Sequence, residues 1–478
     1  MVFSSEVFLF GFLPAVLALY FLAPGALLKN IVLVGASLVF YAWGEGRFVA
    51  LVLGSALVNY GFGLALWRTP GDGTRARRLV LAAALACDLG ALAYFKYTGF
   101  LTDNLTFITG GAIGRSVALS QVYLPLGISF YTFHAISYVV DVYRRTSPAR
   151  KNPLEIVLYF AFFPQLIAGP IIRYKDIAAQ LSRRAVSVEG FAYGVRRFVV
   201  GLGKKVLIAN TLGLCVDRVF NTPASQVSTG LAWFALAAYT LQIYFDFSGY
   251  SDMAIGLARM FGFTFLENFN FPYIAGSITE FWRRWHISLS RWFRDYLYIP
   301  LGGNRVAPWR VYLNLLIVFF LCGLWHGAKW TFVVWGLIHG TFLVLERVGA
   351  LRRITATPIL RHVYALGVVM FGWVFFRSDS FAYALGFFHA LVVPRAAPRL
   401  TFWAAADHET ILVFALGCVL ATPLIAQRVE AAIARAPSTW RGFALDAGLV
   451  PAALASIFTA SVVKLAVGTY NPFIYFRF

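Results

Sequence analysis

The strongest constraint on this chain is the length of its uncharged apolar runs. Residues 7–23, 48–67, 117–140, 156–172, 411–426 and 447–463 contain no Asp, Glu, Lys or Arg. Each approaches the roughly 20 residues needed to cross a bilayer core. Residues 79–95 join them if Asp88 meets a polar partner, and shorter or interrupted runs lie at 31–43, 231–245, 311–325, 330–345 and 363–376. Together they predict an all-α, polytopic membrane protein of about eleven or twelve transmembrane helices, several of them short or tilted. A soluble chain of 478 residues would instead carry far more charge: only 13% of these residues are charged, against roughly a quarter in soluble domains.

Lys plus Arg is 41 and Asp plus Glu is 21, a formal net charge of +20. Nucleic acid is excluded as the partner of that charge, because no soluble module with a basic face is visible. Membrane lipid is the expected surrounding. Cys87, Cys215, Cys322 and Cys418 lie far apart in or beside apolar stretches; no spacing suggests a disulfide framework or a metal site. Glu6 and no basic residue precedes the run at 7–23, so it reads as an uncleaved first span and not as a secretory signal.

Basic loops give an orientation. RTPGDGTRARR at 68–78 and RRTSPARK at 144–151 belong in the cytoplasm by the positive-inside rule, which places Met1 and residues 96–116 outside. The alternation then breaks. Residues 156–172 should exit, yet residues 173–205 carry eight basic residues against Asp176 and Glu189, and Pro164 and Gly169-Pro170 interrupt the run. A re-entrant segment returning to the cytoplasmic side satisfies both facts. Non-helical backbone at membrane depth requires enclosure by protein or a water-filled cavity, so a central tunnel is expected. Three regions follow: N-terminal membrane helices over 1–150, a central core over 151–380 with re-entrant and interfacial helices, and C-terminal membrane helices with an aromatic terminal motif over 381–478.

Four stretches carry groups capable of chemistry. In TEFWRRWHISLSRWFRDYLYIP, residues 279–300, a helical projection puts Trp282, Trp285, Leu289, Trp292 and Tyr296 on one stripe. Arg283, Arg284, Arg291, Arg294 and Asp295 fall opposite, as in an interfacial amphipathic helix. His286 sits at the edge of the stripe, either as an interface cap or as a functional group. GLWHG places His326 between Gly323 and Gly327 at the end of an apolar run, followed by His339. An ionisable residue at membrane depth is a site candidate, and a neutral imidazole takes a proton from a hydroxyl; packing or a helix–helix hydrogen bond are the alternatives, and for His339 they lead. YFDFSGYSDMAIG at 244–256 offers Asp246, Ser248, Ser251 and Asp252, as helix caps, tunnel lining or partners orienting a histidine. YNPFIYFRF at 470–478 is too aromatic for a solvated tail and is expected to dock in a groove or at the interface; Tyr475 needs a neighbouring base to be nucleophilic.

These motifs have a family likeness. FWRRWHISLSRWFRDYLYIPLGGNR, GLWHGAKWTFVVWGLIHG and YFDFSGYSDMAIG resemble the membrane-bound O-acyltransferase family. MVFSSEVFLFGFLP, LPLGISFYTFHAISYVVDVYR and FPQLIAGPIIRY are similar to its bacterial polysaccharide-acetylating branch, nearest to the alginate-acetylating members. The resemblance covers roughly residues 1–380 and the final nine. It implies acyl transfer in a membrane-embedded funnel, with His326 as the catalytic histidine and His286 as the second. It also implies a cytoplasmic thioester donor, acetyl-coenzyme A or another acyl carrier, used as a substrate and not as a tightly bound cofactor. Its other implications are an inner-membrane location, a periplasmic acetyltransferase or esterase-like partner, a polysaccharide acceptor reached indirectly, and Tyr475 as an acyl relay. His134 stands where a glutamate is expected in close relatives, which bears on the polymer and not on the chemistry.

The expected mechanism has His326 as general base on an acceptor hydroxyl, His286 orienting or polarising the thioester carbonyl, and Asp246 or Asp252 holding a histidine tautomer. Lys204, Lys205, Arg283 and Arg284 are candidates for the donor's phosphates, although most such charges set topology.

Overall fold

The computed structural model describes residues 1–111, 122–394, 400–435, 448–468 and 470–472. It is helical throughout, with no strand among the described residues. Among the described residues, six helical segments are long and apolar enough to cross a membrane: Gly25–Arg68, Arg75–Ile108, Val188–Phe220, Pro308–His326, Pro358–Arg377 and Leu449–Val467. The first holds two helices, Gly25–Glu45 and Val49–Arg68, separated by one 3-10 turn. Val7–Leu22, Phe381–Val392 and His408–Leu420 are apolar but shorter. Short helices were expected among the eleven or twelve, and several apolar runs are indeed broken or end early. The run at 231–245 lies inside one 32-residue helix, Thr229–Met260.

The chain divides into two compact units, Met1–Gly194 with Ala254–Leu266, and Val195–Met253 with Glu267–Phe478. In the first, Asp88 has the polar partner its depth demands: Asn59 Nδ2 donates to Asp88 Oδ1 at 2.7 Å. Arg77 is buried and donates to the Tyr143 carbonyl at 2.7 Å and to Asp72. Hydrogen bonding from Arg145, with the charges of Arg145 and Arg77, holds the exposed Asp72 carboxyl below its usual range.

The run at 156–172 is not one spanning helix. It forms a nine-residue helix, Pro153–Ala161, capped by Asn152 with Pro153 at its first position. A single turn, Phe163–Leu166, follows, and then non-helical chain to Tyr174. Residues 156–174 are all buried, so this irregular backbone is enclosed by protein as lipid requires. Side chains satisfy it. Phe163 N–H donates to Ser37 Oγ at 3.1 Å, Tyr159 O–H to the Ile172 carbonyl at 2.9 Å, and Tyr174 N–H to Ser137 Oγ at 3.2 Å. Lys175 N–H donates to Asp141 Oδ2 at 3.0 Å. Phe3, Phe8, Phe12 and Phe40 pack their rings around Phe163 at 5.5–6.4 Å. His134 is fully buried in this unit with its ring 5.3 Å from that of Tyr159.

Ser137 is the hub of this segment, since its hydroxyl also lies 2.8 Å from that of Tyr159. Ser137→Ala should lower unfolding stability by about 1–3 kcal/mol, the cost of leaving a buried donor unpaired. Thermal unfolding of the purified protein in detergent measures it; an unchanged transition would mean that these bonds do not hold the segment.

Candidate functional site

The site is built in the second unit, where two helix contacts depend on glycine. A side-chain carbon at Gly201 would lie 2.6 Å from the Gly249 carbonyl oxygen, and one at Gly249 would lie 2.7 Å from that of Gly201. The backbones therefore touch, as small residues permit in membrane helices. That contact sets two lysines against two aspartates. Lys205 Nζ is 2.7 Å from Asp246 Oδ1, with both side chains almost fully buried. Lys204 Nζ donates to Asp252 Oδ2 at 2.7 Å, and Arg197 Nε to Asp252 Oδ1 at 2.8 Å. Arg197 also reaches Glu267 Oε2 at 2.5 Å. Burying a lone charge in such surroundings is costly, and pairing removes most of that cost.

Asp246 and Asp252 thus each pair with a cation. Of the four cations considered for a donor's phosphates, Lys204 and Lys205 face aspartates, and Arg284 meets Glu280 at 2.8 Å. Arg283 alone of the four is exposed.

The tryptophan-rich stretch is broken where one amphipathic helix was expected. Helix Ile278–Arg284 is capped by Ser277, whose hydroxyl accepts from Glu280 N–H at 3.0 Å. A second helix, Ile287–Phe293, follows, and between them His286 takes a left-handed φ of 44°. That conformation is uncommon outside glycine and costs about 1–3 kcal/mol. Trp282, Trp285, Leu289 and Trp292 are buried, so the stripe packs inside protein. The left-handed turn directs the His286 ring inward, fully buried, 4.6 Å edge-on from the Phe247 ring.

Asn268, which sequence reasoning did not single out, holds the turn. Its Oδ1 accepts from Ser288 N–H at 3.2 Å and Ser288 Oγ–H at 2.8 Å, while its Nδ2 donates to Ser251 Oγ at 3.1 Å. Its backbone carbonyl accepts from Ile287 N–H at 3.0 Å. The backbone donor fixes which amide atom is oxygen. His286 Nδ1, 3.2 Å from the same Oδ1, must then donate, and a neutral ring keeps its lone pair at Nε2.

His326 is the last residue of the helix Pro308–His326. After a three-residue connection the chain returns as Trp330–Arg347. A side-chain carbon at Gly323 would stand 2.4 Å from the Phe332 carbonyl oxygen, and one at Gly336 only 2.2 Å from that of Phe319. The glycines beside His326 thus bring a second helix close. The third helix, Pro358–Arg377, runs antiparallel to the second, pairing Phe332 with Phe376, Trp335 with Trp373 and Phe342 with Tyr364. His326 is 5% exposed, its ring edge-on to Trp335 at 5.0 Å and near Trp325 and Phe376 at 4.9 and 5.4 Å. His339 has a packing role: its Nδ1 accepts from Trp282 Nε1–H at 3.2 Å, and its ring stacks on Phe281.

The fold therefore brings together the two histidines whose motifs stood out. The His286 and His326 rings lie 6.4 Å apart, flanked by Trp325, which packs on both. Next to His326 a small cleft is lined by Asp217, Gln242, Asp246, Phe376, Arg377 and Pro472 among others. Phe376 forms a wall shared by the cleft and His326. Tyr475 lies outside the described residues, but Tyr470, Asn471 and Pro472 are docked against this unit, as expected for the start of the terminal motif.

If the glycine contact sets the position of His326, Gly336→Ala should destabilise the protein by about 1–3 kcal/mol through overpacking. Gly367→Ala meets nothing within 4 Å and should leave stability unchanged or slightly raised. Equal melting temperatures for the two variants would contradict the contact.

Known proteins resemble the chain over its whole length. Residues 145–383 match the model of MBOAT, the membrane-bound O-acyltransferase family. The probable alginate O-acetylase AlgI of Azotobacter vinelandii is 43% identical over 514 residues, covering 100% of both chains. The probable alginate O-acetylase AlgI of Pseudomonas aeruginosa is 42% identical with the same coverage. The peptidoglycan O-acetyltransferase of Helicobacter pylori is 37% identical over 80% of this chain and 78% of its own. This chain belongs to the membrane-bound O-acyltransferase family and is an integral membrane O-acyltransferase.

Proposed function

We propose that this protein takes an acetyl group from a cytoplasmic thioester, acetyl-coenzyme A or another acyl carrier. It passes the group across the inner membrane for O-acetylation of a cell-surface polysaccharide, alginate or one like it. The observation that carries this reading is the meeting of His286 and His326 in an enclosed setting beside a cleft. The names of the full-length relatives favour alginate; peptidoglycan is the second reading, on the strength of the Helicobacter pylori relative.

Charge supports a direction. Arg305, Arg310, Arg347, Arg352, Arg353 and Arg361 gather where the helices Pro308–His326 and Pro358–Arg377 begin and Trp330–Arg347 ends. The opposite ends, with His326, carry the exposed Lys329–Asp379 pair at 3.5 Å. By the positive-inside rule the arginine end is cytoplasmic, so the cleft opens away from the cytoplasm. Delivery to a periplasmic acetyltransferase or esterase-like partner fits that orientation.

In the proposed step, His326 accepts the proton of an acceptor hydroxyl as its oxygen attacks the thioester carbonyl. The carbon–sulfur bond then breaks, an ester forms, and the imidazolium returns the proton to the leaving thiolate. With Nδ1–H committed to Asn268, neutral His286 presents a lone pair, which suits holding an O–H or N–H donor. It polarises a carbonyl only when doubly protonated, so we assign it the orienting half of the role considered for it. Tyr475 is the proposed first acceptor, with its phenol carrying the acetyl ester onward.

His326→Ala should lower labelled acetyl transfer by about 100- to 10,000-fold, the range of a lost general base, with the protein still folded in the membrane. Unchanged polymer acetylation in that variant would sink the proposal. Asn268→Ala removes the bond to His286 Nδ1 together with those to Ser288 and Ser251 and should lower transfer by about tenfold or more; full activity would remove Asn268 from the positioning of His286.

A further inference from the structure

The cleft beside His326 is met by a part of the chain remote in sequence. Tyr470 O–H donates to Asp217 Oδ2 at 2.7 Å, and Arg377 Nη2 holds the other oxygen, Oδ1, at 2.9 Å. Asn210 Nδ2 donates to Asn471 Oδ1 at 3.2 Å. Lys205 Nζ, already paired with Asp246 and 2.8 Å from Asn210 Oδ1, donates to the Pro472 carbonyl. Three consecutive residues thus each meet a side chain from the same region of the unit. Space has been left for them: a side-chain carbon at Gly213 would stand 2.9 Å from the Tyr470 hydroxyl and 2.7 Å from Gln242 Nε2. Asp217, Gln242, Asp246, Arg377 and Pro472 all line the cleft whose Phe376 wall packs on His326.

We propose that Asp217, Arg377, Asn210 and Lys205 form a docking groove for the protein's own C-terminal segment and act as positioning residues for acyl transfer. They fix Pro472 at the cleft whose Phe376 wall also packs on His326. Lys205 is thereby an anchor for the segment and not a phosphate ligand. The tetrad differs in kind from a helix-packing network, because its acceptors include a backbone carbonyl and a side-chain oxygen of the non-helical residues Asn471 and Pro472. This inference deepens the proposed relay and rests on it for the meaning of the positioning.

The test uses the full-length protein in detergent with acetyl-coenzyme A labelled in the acetyl group. Two readouts are taken: release of C-terminal residues by carboxypeptidase, and label transferred onward to the polymer in membranes carrying its partner. Tyr470→Phe removes one hydroxyl, Asp217→Asn removes the charge while keeping shape, and Gly213→Val blocks the groove sterically. Each should speed carboxypeptidase release by roughly tenfold or more, what loss of a hydrogen bond to a charged acceptor gives, and lower onward transfer by a similar factor; Tyr470→Phe, which keeps the Asp217–Arg377 pair, should do so with the melting temperature near that of the parent. Unchanged digestion in all three would overturn the groove. Faster digestion with full onward transfer would overturn the positioning role. Loss of transfer in Tyr470→Phe with full transfer in Tyr475→Phe would sink the relay reading and leave the groove standing.

Discussion

The close contact between the helices Pro308–His326 and Trp330–Arg347 is the constraint on which the site depends. At Gly323 and Gly336 there is no room for a side chain, because the carbonyl oxygens of Phe332 and Phe319 occupy it. This approach seats Trp335 against His326 on one side and His339 on the other. His339 in turn holds the Trp282 indole, four residues before His286. Each aromatic ring in this sequence of contacts excludes water and lipid from the next, and a displaced helix would move both histidines together.

A second requirement is charge neutrality inside an apolar body. Lys205 with Asp246, and Arg197 and Lys204 with Asp252, are pairs made possible by the Gly201–Gly249 contact. Each pair neutralises its own charges, and around the histidines the rings of Phe247, Trp325, Trp335 and Phe376 pack closely. Asn268 is better suited than a carboxylate to hold His286 there. It accepts from Nδ1 without bringing a negative charge that would favour the imidazolium.

Much of this was legible in the sequence. The apolar runs indicated a polytopic helical protein, and Pro164 with Gly169-Pro170 marked the irregular segment that the structure encloses. His286 and His326 stood out because ionisable groups among tryptophans and glycines are expensive there. Other parts were hidden for physical reasons. A helical projection runs straight through Trp285 and His286, since nothing in a periodicity reveals one left-handed residue. Asn268 lies in an aromatic loop with no pattern around it, and its value appears only when Ser288 and His286 converge on one oxygen. The aspartates drew attention as histidine partners because their lysines, some forty residues earlier, are adjacent only through a backbone contact that depends on tertiary packing.

The central claim is that His286 and His326 act as one unit on the thioester. The most direct measurement is a double-mutant cycle on acetyl transfer from labelled acetyl-coenzyme A, with His286→Ala, His326→Ala and both together. Residues acting as a unit are strongly non-additive. The account predicts that the double variant is no slower than His326→Ala alone. Independent, multiplying losses from the two substitutions would contradict it.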